Sequence, residues 1–141
     1  MKKALSIKRL AKSFGYAFAG FKKSFKEEAN MKIHVMMAFL VIICAFLFKV
    51  SRIEWIILLF AIVLVIASEL LNTSIENLVD LVCKEQNNKA GLIKDVSAAF
   101  VMVFAITSAI IGLIIFIPKL LNILGWWYYV WKFKKDYSCF L

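Results

Sequence analysis

A chain of 141 residues that is 63% hydrophobic, with 9 acidic and 18 basic side chains, has too little polar sequence to coat a soluble domain of its size. Its formal net charge of +9 would suit nucleic acid, but apolar runs of near-spanning length beside that charge point instead to an anionic membrane. Only 5 Gly and 1 Pro interrupt the chain, so long helices meet few breakers. The three cysteines, Cys44, Cys83 and Cys139, are an odd number without ligand spacing and read as packing residues.

Residues 5–27 carry the first predicted helix. Ile7, Leu10, Phe14, Phe18, Phe21 and Phe25 recur at three- and four-residue steps, while Lys8, Arg9, Lys12, Lys22, Lys23 and Lys26 fall on the other flank. A basic amphipathic helix with an aromatic apolar face lies in the membrane interface. It is too basic and too interrupted for a cleavable signal peptide.

Three apolar segments follow, at about 31–48, 54–82 and 95–117, the last expected to stop at Pro118. Each is long enough to span, and helices are the open-ended spans that lipid permits. Of the 18 Lys and Arg, 9 precede the first span through Lys32; Lys49 and Arg52 lie in the first loop, and Lys84, Lys89 and Lys94 in an expected loop over 83–94. This bias places the N-terminus and the 83–94 loop in the cytoplasm. Residues 122–141 form an aromatic and basic tail, with Trp126-Trp127-Tyr128-Tyr129-Val130-Trp131 as an interfacial belt. The alternative for this tail is a re-entrant or fourth segment that returns its lysines to the inside.

The second span carries Glu69, Asn72, Glu76 and Asp80. At about 100° and 1.5 Å per residue, they share an arc of about 80° and a stripe about 16 Å long. Neutral groups are the usual hydrogen-bonding residues between membrane helices; three carboxyl groups on one face are costly unless they serve a polar site. A divalent cation would neutralise them, and Mg²⁺ takes one or two carboxylates beside phosphate oxygens. Glu76 is one candidate ligand. Glu28, where the interfacial helix turns into the membrane, is a second, with adjacent Glu27 as its rival. Glu85, Asn87, Lys94 and Asp95 form a polar set at the mouth of the same region, Lys94 serving as a point charge for phosphates. The chain has no GxxxxGK[ST] loop and no protein-kinase signatures, so these residues indicate a metal-and-phosphate site at a membrane surface without specifying a kinase.

The run Glu69-Leu70-Leu71-Asn72-Thr73-Ser74-Ile75-Glu76-Asn77-Leu78-Val79-Asp80 resembles the ExxNTxxExxxD signature of the prokaryotic diacylglycerol kinase family. Gly15-Tyr16, Gly20 and Glu27-Glu28-Ala29-Asn30 upstream, with Gly91, Lys94-Asp95 and Ala98-Ala99 downstream, extend the resemblance over residues from about 8 to 117. It implies an all-α homotrimer in the bacterial plasma membrane, each chain an interfacial helix and three spans with a cytoplasmic site, here residues 1–121. It also implies transfer of the γ-phosphate of ATP, with Mg²⁺, to a lipid alcohol. By matching position, Glu69 would be the general base on the lipid hydroxyl and Glu28 and Glu76 the metal ligands. Asn72 and Asp80 would support them, and Arg9, Tyr16, Glu28, Glu76, Glu85, Asn87, Lys94 and Asp95 would contact nucleotide. Glu69 lies about 10 Å deeper along the helix than Glu76, in keeping with a base that meets a lipid headgroup.

Phe25-Lys26-Glu27-Glu28-Ala29-Asn30 followed by His34, and Ser51-Arg52-Ile53-Glu54-Trp55, are similar to the Gram-positive branch, which implies undecaprenol as substrate. His34 stands where the diacylglycerol-preferring branch commonly has glutamate, so it is either a hydrogen-bonded helix-start residue or a contact that selects the lipid. Diacylglycerol is the alternative substrate. A small oligomeric pore is the more distant reading, opposed by the apolar stretch from Trp55 to Ala67.

Overall fold

The computed structural model describes residues 7–85 and 87–137. They form four helices: α1 (Ile7–Glu27), α2 (Ala29–Leu47), α3 (Arg52–Val82) and α4 (Asn88–Tyr137). Three helices are long and apolar enough to cross a membrane, over Ala29–Leu47, Arg52–Val82 and Asn88–Trp126.

One residue joins α1 to α2. Glu28 leaves the helical region (φ −93°, ψ 125°) while its N–H still donates to the Ser24 carbonyl at 2.8 Å. The α2–α3 hairpin is equally short. Val50 N–H reaches back to the Ala45 carbonyl and Lys49 N–H to the Phe46 carbonyl, the paired bonds that close a helix when the next residue turns left-handed. Lys49 takes that conformation (φ 49°) where glycine is usual, and burial of Val50 against Ala45 compensates. Ser51 then opens α3 with a capping box: its hydroxyl accepts from Glu54 N–H, and its own N–H donates to the Glu54 carboxylate. These reciprocal bonds satisfy two donors that the first turn leaves free.

The two longest helices pack antiparallel. Glu54 meets Lys119, the Ala61 carbonyl meets Ser108, Asn72 meets Ser97 and Asp80 meets Lys94. A small apolar core of Ala45, Val50, Leu58 and Ile115, flanked by Trp55, Phe48 and Phe116, occupies the end away from the acidic stripe. Phe46 packs on Trp55 edge-on at 4.8 Å. Phe39, Phe60 and Leu113 are among the large apolar side chains left exposed, a surface suited to hydrocarbon.

Two boundaries correct the sequence reading. The loop expected over 83–94 is confined to 83–87, because the Asn87 side chain accepts from Lys89 N–H at 2.8 Å and caps α4 seven residues early. Lys94 and Asp95 therefore stand inside the helix. At the other end, α4 does not stop at Pro118 but continues for 50 residues in all. Proline removes one hydrogen bond, to the Ile114 carbonyl, and its fixed φ is helical. Membrane helices tolerate it, and the Lys119–Glu54 pair at 3.0 Å holds the following turn against α3. Residues 5 and 6 of the first predicted helix, and Cys139 of the tail, lie outside the described residues.

Candidate active site

The acidic stripe is built into the middle of α3, and its deepest member is the most enclosed. Glu69 is 2% exposed, and Ser68 and Asn72 on α3 and Ser97 on α4 are buried as well. Ser68 turns its hydroxyl onto the Val65 carbonyl at 2.8 Å, so it does not serve Glu69. From α2, His34 Nε2 stands 3.9 Å from Glu69 Oε2, beyond hydrogen-bond reach. Met31, one turn before His34, is wholly buried and anchors that face of α2. Two turns along α3 from Glu69 stands Glu76, and Glu28 occupies the α1–α2 joint.

Glu76 is not loose. Its Oε1 accepts from Asn72 Nδ2 at 2.8 Å, and Asn72 Oδ1 lies 2.5 Å from the Ser97 hydroxyl. A turn further along α3, Asp80 Oδ1 receives Lys94 Nζ at 2.5 Å. Glu76 and Asp80 on α3 are thus both referred to one turn of α4, residues 94–97.

Beyond them opens a cleft of about 820 Å³ lined by Asp80, Lys84, Glu85, Asn87, Lys94 and Asp95, among others. The structure therefore brings together Glu85, Asn87, Lys94 and Asp95. It does not bring Arg9 or Tyr16 to that cleft within one chain: Tyr16 is 67% exposed, with Lys12 Nζ 5.8 Å from its ring. A second, smaller groove of about 310 Å³ runs between α1 and α3, past Gly20, Ser24, Glu27, Thr73 and Asn77. Ser24 and Thr73 hydroxyls, 3.4 Å apart, bridge the two helices there. Glu27 faces this groove and pairs with Lys23 at 3.9 Å, whereas Glu28 does not line it.

Among the described residues no three His, Cys, Asp or Glu side chains gather as a metal cage. Glu28, at the α1–α2 joint, and Glu76, held by Asn72 on α3, are hard carboxylates, the donor type suited to an Mg²⁺ that shares its remaining positions with phosphate and water.

Ser97 is the site residue that sequence reading missed. Its one signal is position: a hydroxyl between Val96 and Ala98, one helical turn after Lys94, where a largely apolar span begins.

Comparison with known proteins bears on the same stretch. A family model described as prokaryotic diacylglycerol kinase matches residues 15–116. Over 114 residues the chain is 43% identical to the undecaprenol kinase of Bacillus subtilis, covering 81% of this chain and 93% of that protein. It is 35% identical over 113 residues to a diacylglycerol kinase of Synechocystis, covering 79% and 65%. To the diacylglycerol kinase of Haemophilus influenzae it is 31% identical over 103 residues, covering 73% and 87%. The family match ends before Pro118, so the rest of α4 as far as Tyr137, about six helical turns, is additional to it.

Proposed function

The chain belongs to the prokaryotic diacylglycerol kinase family, and on that premise we propose that it phosphorylates a membrane lipid alcohol with ATP, undecaprenol being the substrate. One observation carries the reading: a carboxyl group, Glu69, enclosed at mid-helix in an apolar span, two turns from the Glu76 carboxylate that Asn72 holds on the same helix. Undecaprenol is favoured because identity to the Bacillus undecaprenol kinase, 43%, exceeds the 35% and 31% to the two diacylglycerol kinases.

In this reading the lipid hydroxyl enters from the bilayer beside α2 and α3 and donates its proton to Glu69. The lipid oxygen then forms a bond to the γ-phosphorus of ATP as the bond to the ADP oxygen breaks, leaving lipid phosphate and ADP. Glu28 and Glu76 would hold Mg²⁺, which would neutralise phosphate charge. Lys94 adds a point charge from α4 once it shifts from Asp80 to phosphate, while Asp95, Glu85 and Asn87 line the nucleotide cleft. Phosphoryl transfer asks mainly for positioning and charge neutralisation, and this set supplies both. Asn72 and Asp80 support it, and His34 meets the lipid headgroup.

We further assign α1 to the membrane interface, the site and the N-terminus to the cytoplasmic side, and residues 122–141 to the opposite interface. The working assembly is a homotrimer, in keeping with the family resemblance; Arg9 and Tyr16 do not line the cleft of their own chain and in that assembly would meet that of a neighbour.

The test is a competition. Purified protein in mixed micelles with MgATP and equal amounts of undecaprenol and diacylglycerol should release mainly undecaprenyl phosphate. Mainly phosphatidic acid would move the chain to the second reading, favoured by the family's other named members; phosphorylation of neither lipid would end both.

A further inference from the structure

We infer that Ser97 is a positioning residue, which fixes the orientation of the Asn72 amide and through it the Glu76 carboxylate. The inference rests on the kinase reading for its purpose, but its geometry stands apart from that reading.

Asn72 and Ser97 are each 6% exposed, so neither has ready access to water. The two ends of an asparagine amide are alike in shape, and hydrogen-bonding partners decide which way it points. An ionised carboxylate only accepts. The end 2.8 Å from Glu76 Oε1 is therefore the NH₂, which turns the amide carbonyl toward α4. That carbonyl, buried, needs a donor, and the Ser97 hydroxyl 2.5 Å away is the one that supplies it. The hydroxyl also lies 2.9 Å from the Lys94 carbonyl, the local bond that serine commonly makes within a helix. Ser97 has a single proton to give, and the shorter contact is the one to Asn72.

With alanine at position 97 the amide would lose its reason to hold this orientation. Flipping it satisfies nothing, because two acceptors would then face each other at Glu76. Asn72 would have to turn away, releasing Glu76 to swing. Packing alone does not explain the serine, since Ala98 and Ala99 follow it and a methyl would fill the same space. The same turn of α4 carries Lys94, whose ammonium meets Asp80; a carboxylate for the metal and a cation for phosphate are thus indexed to one another through residues 94–97.

The experiment reads binding, not turnover. Mn²⁺ is titrated into the detergent-solubilised full chain with a non-hydrolysable ATP analogue, free ion being followed by electron paramagnetic resonance. S97A should weaken Mn²⁺ binding by roughly tenfold, the scale of one hydrogen bond to a buried group, while S97T stays within about twofold because the hydroxyl remains. N72A should weaken binding as well, and S97A/N72A no further than N72A. Unchanged binding by S97A, additive losses in the double variant, or a wild type that binds no Mn²⁺ would each overturn the role. Should S97A not fold, S97C keeps the volume with a weaker donor, and binding at full strength by it also overturns the role. The lipid competition assay on the same preparations separates the two claims. A wild type that binds Mn²⁺ in a Ser97-dependent way yet phosphorylates neither lipid defeats the kinase reading alone. An active wild type whose S97A variant binds normally defeats the role of Ser97 alone.

Discussion

His34 on α2 and Glu69 on α3 face each other across 3.9 Å, too far to bond and close enough to share one small polar group. A lipid hydroxyl placed between them would meet both. Replacing His34 with alanine should raise KM for the lipid several-fold while leaving KM for ATP within about twofold, and H34E should shift the product ratio toward phosphatidic acid. Equal effects on both KM values would remove His34 from the lipid side of the site.

Glu69 is expected to be indispensable. A general base contributes roughly 10²- to 10⁴-fold, so E69Q, nearly the same shape, should lose at least two orders of magnitude in kcat and still bind Mn²⁺ and nucleotide. Initial rates and the binding titration together check this; an active E69Q enzyme would move the base elsewhere.

Lys94 and Asp80 should behave unequally although they are partners. K94A removes the cation assigned above to the phosphates, and KM for ATP should rise roughly tenfold to a hundredfold, the range of a charged hydrogen bond. D80N keeps a side chain that accepts from Lys94 and should cost far less, a contrast that ATP saturation curves would display.

Ser51 lies at the far end of α3, away from any phosphate. S51A breaks the capping box and should lower stability by about 1 kcal/mol, visible as an earlier thermal transition in detergent, with KM for both substrates unchanged. A changed KM would mean that the hairpin reaches the site.

How much of this was legible beforehand depends on range along the chain. The spans, the stripe from Glu69 to Asp80 and the placement of Glu28 at a helix joint follow from hydrophobic length and helical spacing, both local properties. The start of α4 did not: Asn87 looks like any loop asparagine until its side chain is seen accepting from Lys89 N–H. Nor did its passage through Pro118, since a stop and a tolerated proline differ only in what holds the next turn, here Glu54 from another helix. Ser97 was invisible for a related reason. Its importance comes from the register between α3 and α4, and no spacing within one helix encodes which residue stands opposite Asn72.

Of Glu28, Glu69, Asn72 and Glu76, only Glu28 lies outside a helix, in the one-residue joint between α1 and α2. The other three keep their mutual spacing for as long as α3 exists. Glu28 is tied on one side to the start of α2 and on the other to α1, which docks on α3 through contacts such as Ser24 with Thr73. Undocking α1 would therefore leave three of these four side chains in register and free one carboxylate to move, so that the proposed site depends on how α1 is seated as well as on the spacing within α3.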